Sequence, residues 1–426
     1  MTTFLAYGSP ETEIDAAQLK ELLQQALDPL GARSQVMAVV PDITRSHSYA
    51  GPITKLVYDY YGNGLTDVLP ALGTHRPMTT EEMNRMYQGV PTSLFREHNW
   101  REDIQTLGEV PEDYVAEVTE DIYHKPWPAE LNQRIVTGGH DLVISIGQVV
   151  PHEVIGMANY NKNLFVGTGG ARGINESHFI GAVYGMERMM GQANTPLRQI
   201  LNYAQDHFCS HLPFLFVLTV VDATGPRPVL RGLFVGNDHD CFFQACELSQ
   251  KVNITSVPQA LKRVIVNLDP EEFQSTWLGN KAIYRTRMAM ADEGELIILG
   301  PGVHAFGEDQ RIDQLIRQFG YRHRELTLRS VDQSEALQQN LSAAAHLMHG
   351  SSDGRFTVTY CPGHLSREEI EGVGYEFGNL KSWQQRLPDQ LPAHGWIEID
   401  GEDYYYIDNP ALGLWCQDGR LEAARS

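Results

Sequence analysis

Short apolar runs alternate with segments of helical spacing along most of this sequence, and that alternation constrains the fold more than any other feature. Apolar residues recur at helical intervals through 16–27, and a continuous apolar run follows at 36–40. Further runs that predict strands lie at 67–72, 141–146, 214–221, 263–267, 295–299 and 355–359. Strands joined through helices pair in parallel, because the helix carries the chain back across the sheet. The sequence therefore predicts an α/β fold with mostly parallel sheets.

A change of pattern near residue 265 divides the 426-residue chain. Pro258 and Pro270 interrupt the series of strands and helices there, and a new series of strands and helices is predicted through 277–290 and 312–319. A chain of this length is enough for two or three domains. We therefore predict an N-terminal α/β domain at 1–265, a C-terminal α/β domain at 266–400, and a tail at 401–426 that docks on the N-terminal domain. The active site is predicted in the cleft between the two domains.

The charge balance and the cysteines exclude several functional classes. With 54 acidic and 33 basic side chains the net charge is −21, which opposes binding to the phosphate backbone of nucleic acids. The sequence has no run of about 18 apolar residues, so no membrane span is predicted. Five cysteines without a Cys-x-x-Cys pair argue against a disulfide framework and a thiolate zinc site, and the acidic start gives no secretory signal. We therefore expect a cytoplasmic protein that binds a small molecule.

Polar residues cluster where three of the predicted strands end. These segments are Asp42-Ile43-Thr44-Arg45, Gly73-Thr74-His75-Arg76 and Gly147-Gln148-Val149-Val150-Pro151-His152. Ligands of open α/β sheets bind at the carboxyl ends of the strands, so these segments are the first candidates for a functional site. Two alternatives stay open, because an isolated His75 is more often a hydrogen-bonded turn residue and because Asp42 and Arg45 could form a strand-end salt bridge.

The stretch from Pro151 to His178 holds most of the remaining candidates. Asn175 is predicted to cap a helix, so that His178 lies in its first turn, where the helix dipole favours the neutral imidazole that a metal ligand requires. The alternative is a surface histidine in a capping turn. The glycine-rich stretch 167–173 precedes the same helix, and it predicts either a phosphate-binding loop or a tight connection between a strand and a helix.

Taken in order, these residues resemble the lactate racemase family, whose cofactor is the nickel-pincer nucleotide. The resemblance rests on Asp42-Ile43-Thr44-Arg45, Gly73-Thr74-His75-Arg76-Pro77, Pro151-His152, Lys162 ten residues later and His178 sixteen residues after that. It implies a racemase or epimerase of short, lactate-like 2-hydroxy acids. In such an enzyme a hydride moves from Cα to the cofactor, leaving a 2-keto acid, and returns to either face. The resemblance also implies dependence on the proteins that make the cofactor.

The resemblance assigns four residues to the cofactor, a pyridinium-3-thioamide-5-thiocarboxylic acid mononucleotide that carries nickel. Lys162 would be joined to it covalently. Nickel would be held by one carbon, two sulfurs and the imidazole of His178, a donor set that suits this metal. Asp42 and Thr44 would lie beside the cofactor.

The resemblance assigns four residues to the substrate. His75 and His152 would be the paired acid/base groups, one for each face of the substrate, because imidazole takes and returns a proton near neutral pH. Arg45 would bind the substrate carboxylate through its planar guanidinium. Lys281, in a segment that aligns more loosely with the family, would be a second substrate contact.

Departures from the usual family pattern concern the substrate pocket. Ser46-His47-Ser48 stands where a proline-containing run is usual, Asn161 stands where an arginine is usual, and Leu278 stands where a glutamine is usual. Lactate is therefore not assured as the substrate, and a sugar-acid 2-epimerase is the alternative within the family.

Two hypotheses of other classes stay open. A zinc hydrolase could use His75, His152 and His178 to activate water, although it would leave Lys162 without a role. A non-catalytic protein could carry or store the cofactor through Lys162 and His178. The presence of both candidate bases argues against this last hypothesis.

Overall fold

The computed structural model describes residues 2–223, 225, 227–411 and 413–424. They fall into two α/β units, whose ranges are Met1–Ser177 with Met190–Asn253 and His178–Met189 with Ile254–Ser426. Each unit contains a six-stranded sheet of the described residues. The predicted class, two α/β domains with mostly parallel sheets, is confirmed.

The apolar runs at 36–40, 67–72, 141–146 and 214–221 predicted four strands of the first unit, and these form the parallel part of its main sheet. Its strands are β1 (Thr3–Gly8), β2 (Val36–Pro41), β3 (Leu65–Ala71), β4 (Ile104–Val110), β5 (Trp127–Asn132), β6 (Leu142–Gln148), β7 (Pro151–His152), β8 (Gly156–Met157), β9 (Phe214–Asp222) and β10 (Val229–Gly236). The main sheet has the order β1-β10-β9-β6-β2-β3, in which β9, β6, β2 and β3 are parallel and β10 is antiparallel to both of its neighbours, β9 and β1. The pairs β4-β5 and β7-β8 form two small antiparallel sheets.

The register of the parallel strands sets where the candidate segments begin. Pro41 at the end of β2 is paired with Ala71 at the end of β3, and Val39 is paired with Ser145 of β6. The segments that follow β2 and β3 therefore leave the same edge of the sheet side by side.

Helices cover the segments between these strands. Up to residue 253 they are α1 (Ala16–Leu27), α2 (Ala50–Tyr61), α3 (Thr80–Met86), α4 (Glu112–Val118), α5 (Gln133–Thr137), α6 (Asn161–Phe165), α7 (Ala171–Tyr184), α8 (Met186–Met189), α9 (Pro196–Phe208) and α10 (His239–Asn253). The first of them has the predicted bounds, since Asp15 caps it and its leucines at 19 and 23 are buried. The boundary between the units falls inside α7, between Ser177 and His178.

The second unit repeats the α/β pattern. Its strands are β11 (Ile254–Val257), β12 (Leu261–Asn267), β13 (Met290–Gly300), β14 (Phe356–Pro362), β15 (Glu376–Phe377), β16 (His394–Ile399), β17 (Glu402–Ile407) and β18 (Leu414–Gln417). The sheet order is β15-β14-β13-β12-β17-β16, with only β16 antiparallel to its neighbour. The segment 402–407, expected in a tail that docks on the N-terminal domain, thus pairs with β12, and β18 pairs with β11.

The helices of the second unit after residue 253 are α11 (Thr276–Gly279), α12 (Lys281–Thr286), α13 (Gln310–Phe319), α14 (Arg324–Gln333), α15 (Glu335–Gln338), α16 (Leu341–His349), α17 (Arg367–Gly372), α18 (Leu380–Arg386) and α19 (Arg420–Ala423). The new series of strands and helices was predicted to run through 277–290. Two short helices, α11 and α12, occupy 276–286, and Met290 already begins β13.

Glu187 of α8 ties the segment 178–189 to the rest of the second unit. Its carboxylate accepts from Arg287 at 3.2 Å, from Arg420 at 3.0 Å and from Arg355. Burial raises the pKa of Glu187, but the three guanidinium groups outweigh burial and hold it below its ordinary value.

No helix among the described residues is both long enough and apolar enough to span a membrane.

Candidate functional site

A hydrogen bond joins the segments that follow two neighbouring strands of the first sheet. Asp42 follows β2, and Oδ2 of its buried carboxylate lies 2.6 Å from Nδ1 of His75, whose side chain is 54% exposed. The other carboxylate oxygen accepts hydrogen bonds from the backbone N–H and the hydroxyl of Thr44. Burial raises the pKa of Asp42, but the hydrogen bond and charge of His75, with Thr44, hold it below its ordinary value. An ionised carboxylate keeps the proton on Nδ1, so Nε2 is the basic nitrogen of neutral His75.

Glycine contacts fix the loop that carries His75. Gly73 has a φ of +57°, and its N–H donates to the carbonyl oxygen of Gly167 at 2.8 Å. A Cβ added to Gly167 would lie 2.8 Å from Cβ of Ala71, the last residue of β3. The loop after β3 therefore packs directly against the connection that follows helix α6.

Arg45 and His47 lie on a 3₁₀ segment, Ile43–Ser48, that Asp42 caps. The backbone bends at Arg45, where φ is −114° and ψ is 32°. Arg45 and His47 are partly buried and Thr44 is exposed. The departure from the family pattern at 46–48 thus begins directly after the bend.

His152 has a hydrogen-bond environment opposite to that of His75. It is buried in the short β7-β8 hairpin, where the N–H of Val154 donates to its Nδ1 at 3.1 Å. A carboxylate oxygen of Glu153 lies 3.9 Å from the same nitrogen. Because Nδ1 accepts, the proton of neutral His152 belongs on Nε2. Neutral His75 has its basic nitrogen at Nε2, and neutral His152 has its N–H there.

Lys162 lies in the first turn of α6 and is partly buried. Burial lowers the pKa of its amine to about 8, and the positive charge of Arg45 acts in the same direction. The carboxylates of Glu153 and Asp42 act on the same amine in the opposite direction. Groups from two other segments, 42–45 and 153, are therefore close enough to influence one lysine.

The glycines at 167–170 serve close packing. A Cβ on Gly169 would lie 1.8 Å from the carbonyl oxygen of Phe165, and one on Gly170 would lie 2.3 Å from a carboxylate oxygen of Glu130. Protein atoms thus fill the space that a side chain would need. This packing favours the tight connection over the phosphate-binding loop.

A buried histidine, His98, is hydrogen-bonded to this glycine-rich connection. Nε2 of His98 lies 3.2 Å from the carbonyl oxygen of Gly169, and its Nδ1 lies 3.0 Å from the side-chain nitrogen of Asn132. Burial lowers the pKa of His98 to about 4. The neutral ring therefore donates to Gly169 and accepts from Asn132.

The predicted start of the next helix is wrong. Helix α7 begins at Ala171, so Asn175 is not its cap and His178 lies beyond its first turn. The carboxylate of Glu130 accepts a hydrogen bond from the backbone N–H of Gly173 at 3.4 Å. Glu130 lies on β5, 43 residues earlier in the sequence. His178 is partly exposed and belongs to the second unit, and the first-turn dipole argument for its neutral form does not apply.

Lys281 begins α12 of the second unit and is partly exposed. Its amine lies 5.5 Å from the centre of the Phe273 ring. In the preceding helix Leu278 is partly exposed, and the Trp277 ring lies against His346 with 4.2 Å between ring centres. The residues that the sequence assigned to the substrate thus occur in both units.

Within the described ranges, no three or more His, Cys, Asp or Glu side chains form a group that could hold a metal ion. A three-histidine zinc site is therefore not assembled there. A metal held by one imidazole and by cofactor atoms needs no such group.

Two residues beside the candidate site were missed by the sequence analysis. Glu153 adjoins His152, and Arg198 of α9 is fully buried and acts on the Lys162 amine. The available signal for Arg198 was its place between Leu197 and Ile200 on the buried face of a helix.

Comparisons with known proteins match residues 6–190 to a family model and the fold to solved structures. The family model of the lactate racemase N-terminal domain matches residues 6–190. The fold is similar to that of a crystal structure of a protein from Thermotoga maritima, with 22% identity, a TM-score of 0.80, and coverage of 97% of this chain and 100% of that one. It is also similar to the lactate racemase apoprotein from Thermoanaerobacterium thermosaccharolyticum, with 14% identity, a TM-score of 0.72, and coverage of 96% and 94%. No curated protein matches by sequence.

Proposed function

The chain belongs to the lactate racemase family through residues 6–190, and from that premise we propose that it is a racemase or epimerase of 2-hydroxy acids. The environment of Lys162 is the observation that supports this proposal most. Asp42, Arg45 and Glu153, which lie in or beside the family motifs, all influence its amine. A lysine with a lowered pKa among such groups is typical of a functional site.

The residues present fit the nickel-pincer nucleotide. At a pKa of about 8, roughly a tenth of the Lys162 amine is neutral at pH 7, about 300 times the fraction for an ordinary lysine. A neutral amine is the nucleophilic form of lysine, which covalent attachment of a cofactor would require. His178 would supply the single protein ligand of nickel, and Asp42 and Thr44 would line the cofactor. When bound, the cofactor would accept the hydride from the substrate Cα and return it.

The two histidines would carry the proton. His75 has a basic Nε2, so it would take the hydroxyl proton of the substrate, while Asp42 stabilises the imidazolium that forms. His152 has its N–H at Nε2, so its neutral ring could donate a hydrogen bond to the carbonyl oxygen of the 2-keto acid. To return a proton to the substrate oxygen, His152 would have to start from its imidazolium form, which gives up one proton and becomes the neutral ring. Arg45 would bind the carboxylate.

The substrate is proposed as a small, lactate-like 2-hydroxy acid, with Lys281 as a second contact. Leu278 offers no hydrogen bond where the family has a glutamine, and the alternative substrate is a sugar acid. A cytoplasmic location and a supply of cofactor from biosynthetic proteins are part of the same proposal.

Single-enantiomer 2-hydroxy acids and aldonates, incubated with cofactor-loaded protein and separated by chiral chromatography, test the proposal. We expect the opposite stereoisomer to accumulate for at least one acid, and the intact mass to exceed the sequence mass by that of the cofactor. Lys162→Ala should remove both the added mass and the activity. Racemisation by the Lys162→Ala protein at the wild-type rate would refute the assignment.

A further inference from the structure

The backbone directly before Lys162 is strained. Asn159 and Tyr160 have φ values of 67° and 60°, although neither is glycine. Conformations of this kind cost about 1–3 kcal/mol each and persist only where the surroundings impose them. Something must therefore hold the turn that presents Lys162.

Arg198 holds this turn from inside the first unit. One terminal nitrogen of its fully buried guanidinium donates to the carbonyl oxygens of Met157 at 2.8 Å and Asn159 at 3.2 Å. The other terminal nitrogen donates to the side-chain oxygen of Asn161, the residue next to Lys162. The group also lies 4.2 Å from the centre of the Phe242 ring. One side chain therefore fixes three acceptors within five residues of chain.

A second anchor holds the ring of Tyr160. Its hydroxyl lies 3.0 Å from Nδ1 of His239 and accepts from Gln205 at 3.1 Å. Nε2 of His239 lies 2.9 Å from Asp206, and the Tyr160 ring stacks on Phe242 at 5.0 Å. The Tyr160 hydroxyl is uncharged, so this second anchor holds the turn without placing a charge beside it, whereas Arg198 does place one there.

The charge of Arg198 has no carboxylate partner among the described ion pairs. Burial lowers its pKa to about 10, so the group is still charged at neutral pH. A buried cation without a counter-ion is costly, and such a cost is retained where the charge has a use. Here the charge acts on the Lys162 amine in the same direction as Arg45.

We propose that Arg198 is a positioning residue for Lys162: it imposes the strained turn that presents the lysine, and its buried charge opposes a second positive charge on the amine. The inference rests on the proposed role of Lys162 as the attachment point of the cofactor. It adds a residue of helix α9 to the groups that prepare that lysine for reaction.

The test is the pH dependence of acetylation of Lys162 by acetic anhydride. Full-length protein prepared without cofactor is pulse-labelled between pH 6 and 11, and the modified peptide is quantified by mass spectrometry. We expect a wild-type midpoint near pH 8. In Arg198→Met the midpoint should rise by about half to one pH unit, which slows labelling at pH 7 by roughly three- to tenfold. Tyr160→Phe, which removes an anchoring hydroxyl but no charge, should keep the wild-type midpoint.

Hydrogen exchange tests the positioning role of Arg198 separately from the role of its charge. It also keeps the inference testable if the Arg198→Met protein does not fold. Arg198→Lys retains the positive charge but cannot bond all three acceptors, so the amides of 158–161 should exchange at least tenfold faster while the labelling midpoint stays near that of the wild type. Wild-type exchange in Arg198→Lys would overturn the positioning role, and a wild-type midpoint in folded Arg198→Met would overturn the role of the charge. Neither measurement needs cofactor or substrate, so a failed racemisation assay would leave this inference standing.

Discussion

The stability of the first unit should fall steeply in acid because of His98. This buried ring is neutral in the folded protein, where it donates to Gly169 and accepts from Asn132. In the unfolded chain the same imidazole binds a proton below pH about 6.5, whereas in the folded protein its pKa is about 4. Between these values the unfolded state holds more protons, so the free energy of unfolding decreases as the pH falls.

The size of the effect follows from the two pKa values. Their difference, at about 1.36 kcal/mol for each pH unit, amounts to about 3 kcal/mol between pH 7 and pH 4. A domain is stabilised by only about 5–15 kcal/mol in total, so this one residue should visibly shift the unfolding midpoint.

The assay is urea unfolding at pH 7, 6, 5 and 4.5, with hydrogen-exchange pulses at one fixed pH to follow peptides of the first unit. His98→Gln retains a donor and an acceptor but no titration, so the stability difference between wild type and variant should shrink or reverse as the pH falls. His124→Gln, at an exposed position, is the matched control and should follow the wild type. Parallel curves for wild type and His98→Gln at all four pH values would refute the reasoning.

Three further outcomes are expected. Asp42→Asn should lower racemisation on the order of 10²- to 10⁴-fold with the fold intact, because His75 loses the carboxylate that stabilises its imidazolium; turnover at the wild-type rate would remove the pair from the mechanism. Gly169→Ala should destabilise the first unit by about 3 kcal/mol in urea unfolding, since the new Cβ meets the Phe165 carbonyl, and an unchanged midpoint would contradict that packing. His178→Ala should reduce the nickel-to-protein ratio measured by elemental analysis more than it reduces the covalently attached mass, and equal ratios would exclude it as a ligand.

The sequence predicted the buried parallel strands well because their signal is local. The buried runs at 36–40 and 214–221 are continuous apolar stretches, and in the structure they are β2 and β9 with nearly the same bounds. The carboxyl ends of such strands meet at one edge, so the neighbourhood of Asp42 and His75 could also be expected.

Features that depend on distant residues could not be predicted in this way. The sequence placed the start of α7 too late, because the carboxylate that accepts from the N–H of Gly173 near its start belongs to Glu130, on the distant strand β5. Arg198 was missed because its acceptors are backbone oxygens 39 and 41 residues earlier, and no periodicity reports such contacts. The hydrogen-bond partners that distinguish His75 from His152 likewise follow from geometry, since the sequence shows only two histidines.

The division of α7 and the three arginines around Glu187 have a consequence for biosynthesis. The segment 178–189 leaves the ribosome before any other part of the second unit, and Glu187 meets its partners only when residues 100, 168 and 233 positions later have been made. Translation therefore proceeds through a long interval in which a nearly finished first unit carries an unfinished piece of the second. A fragment cut at Asn253 would preserve that intermediate, with Glu187 lacking the three guanidinium groups that surround it in the whole chain.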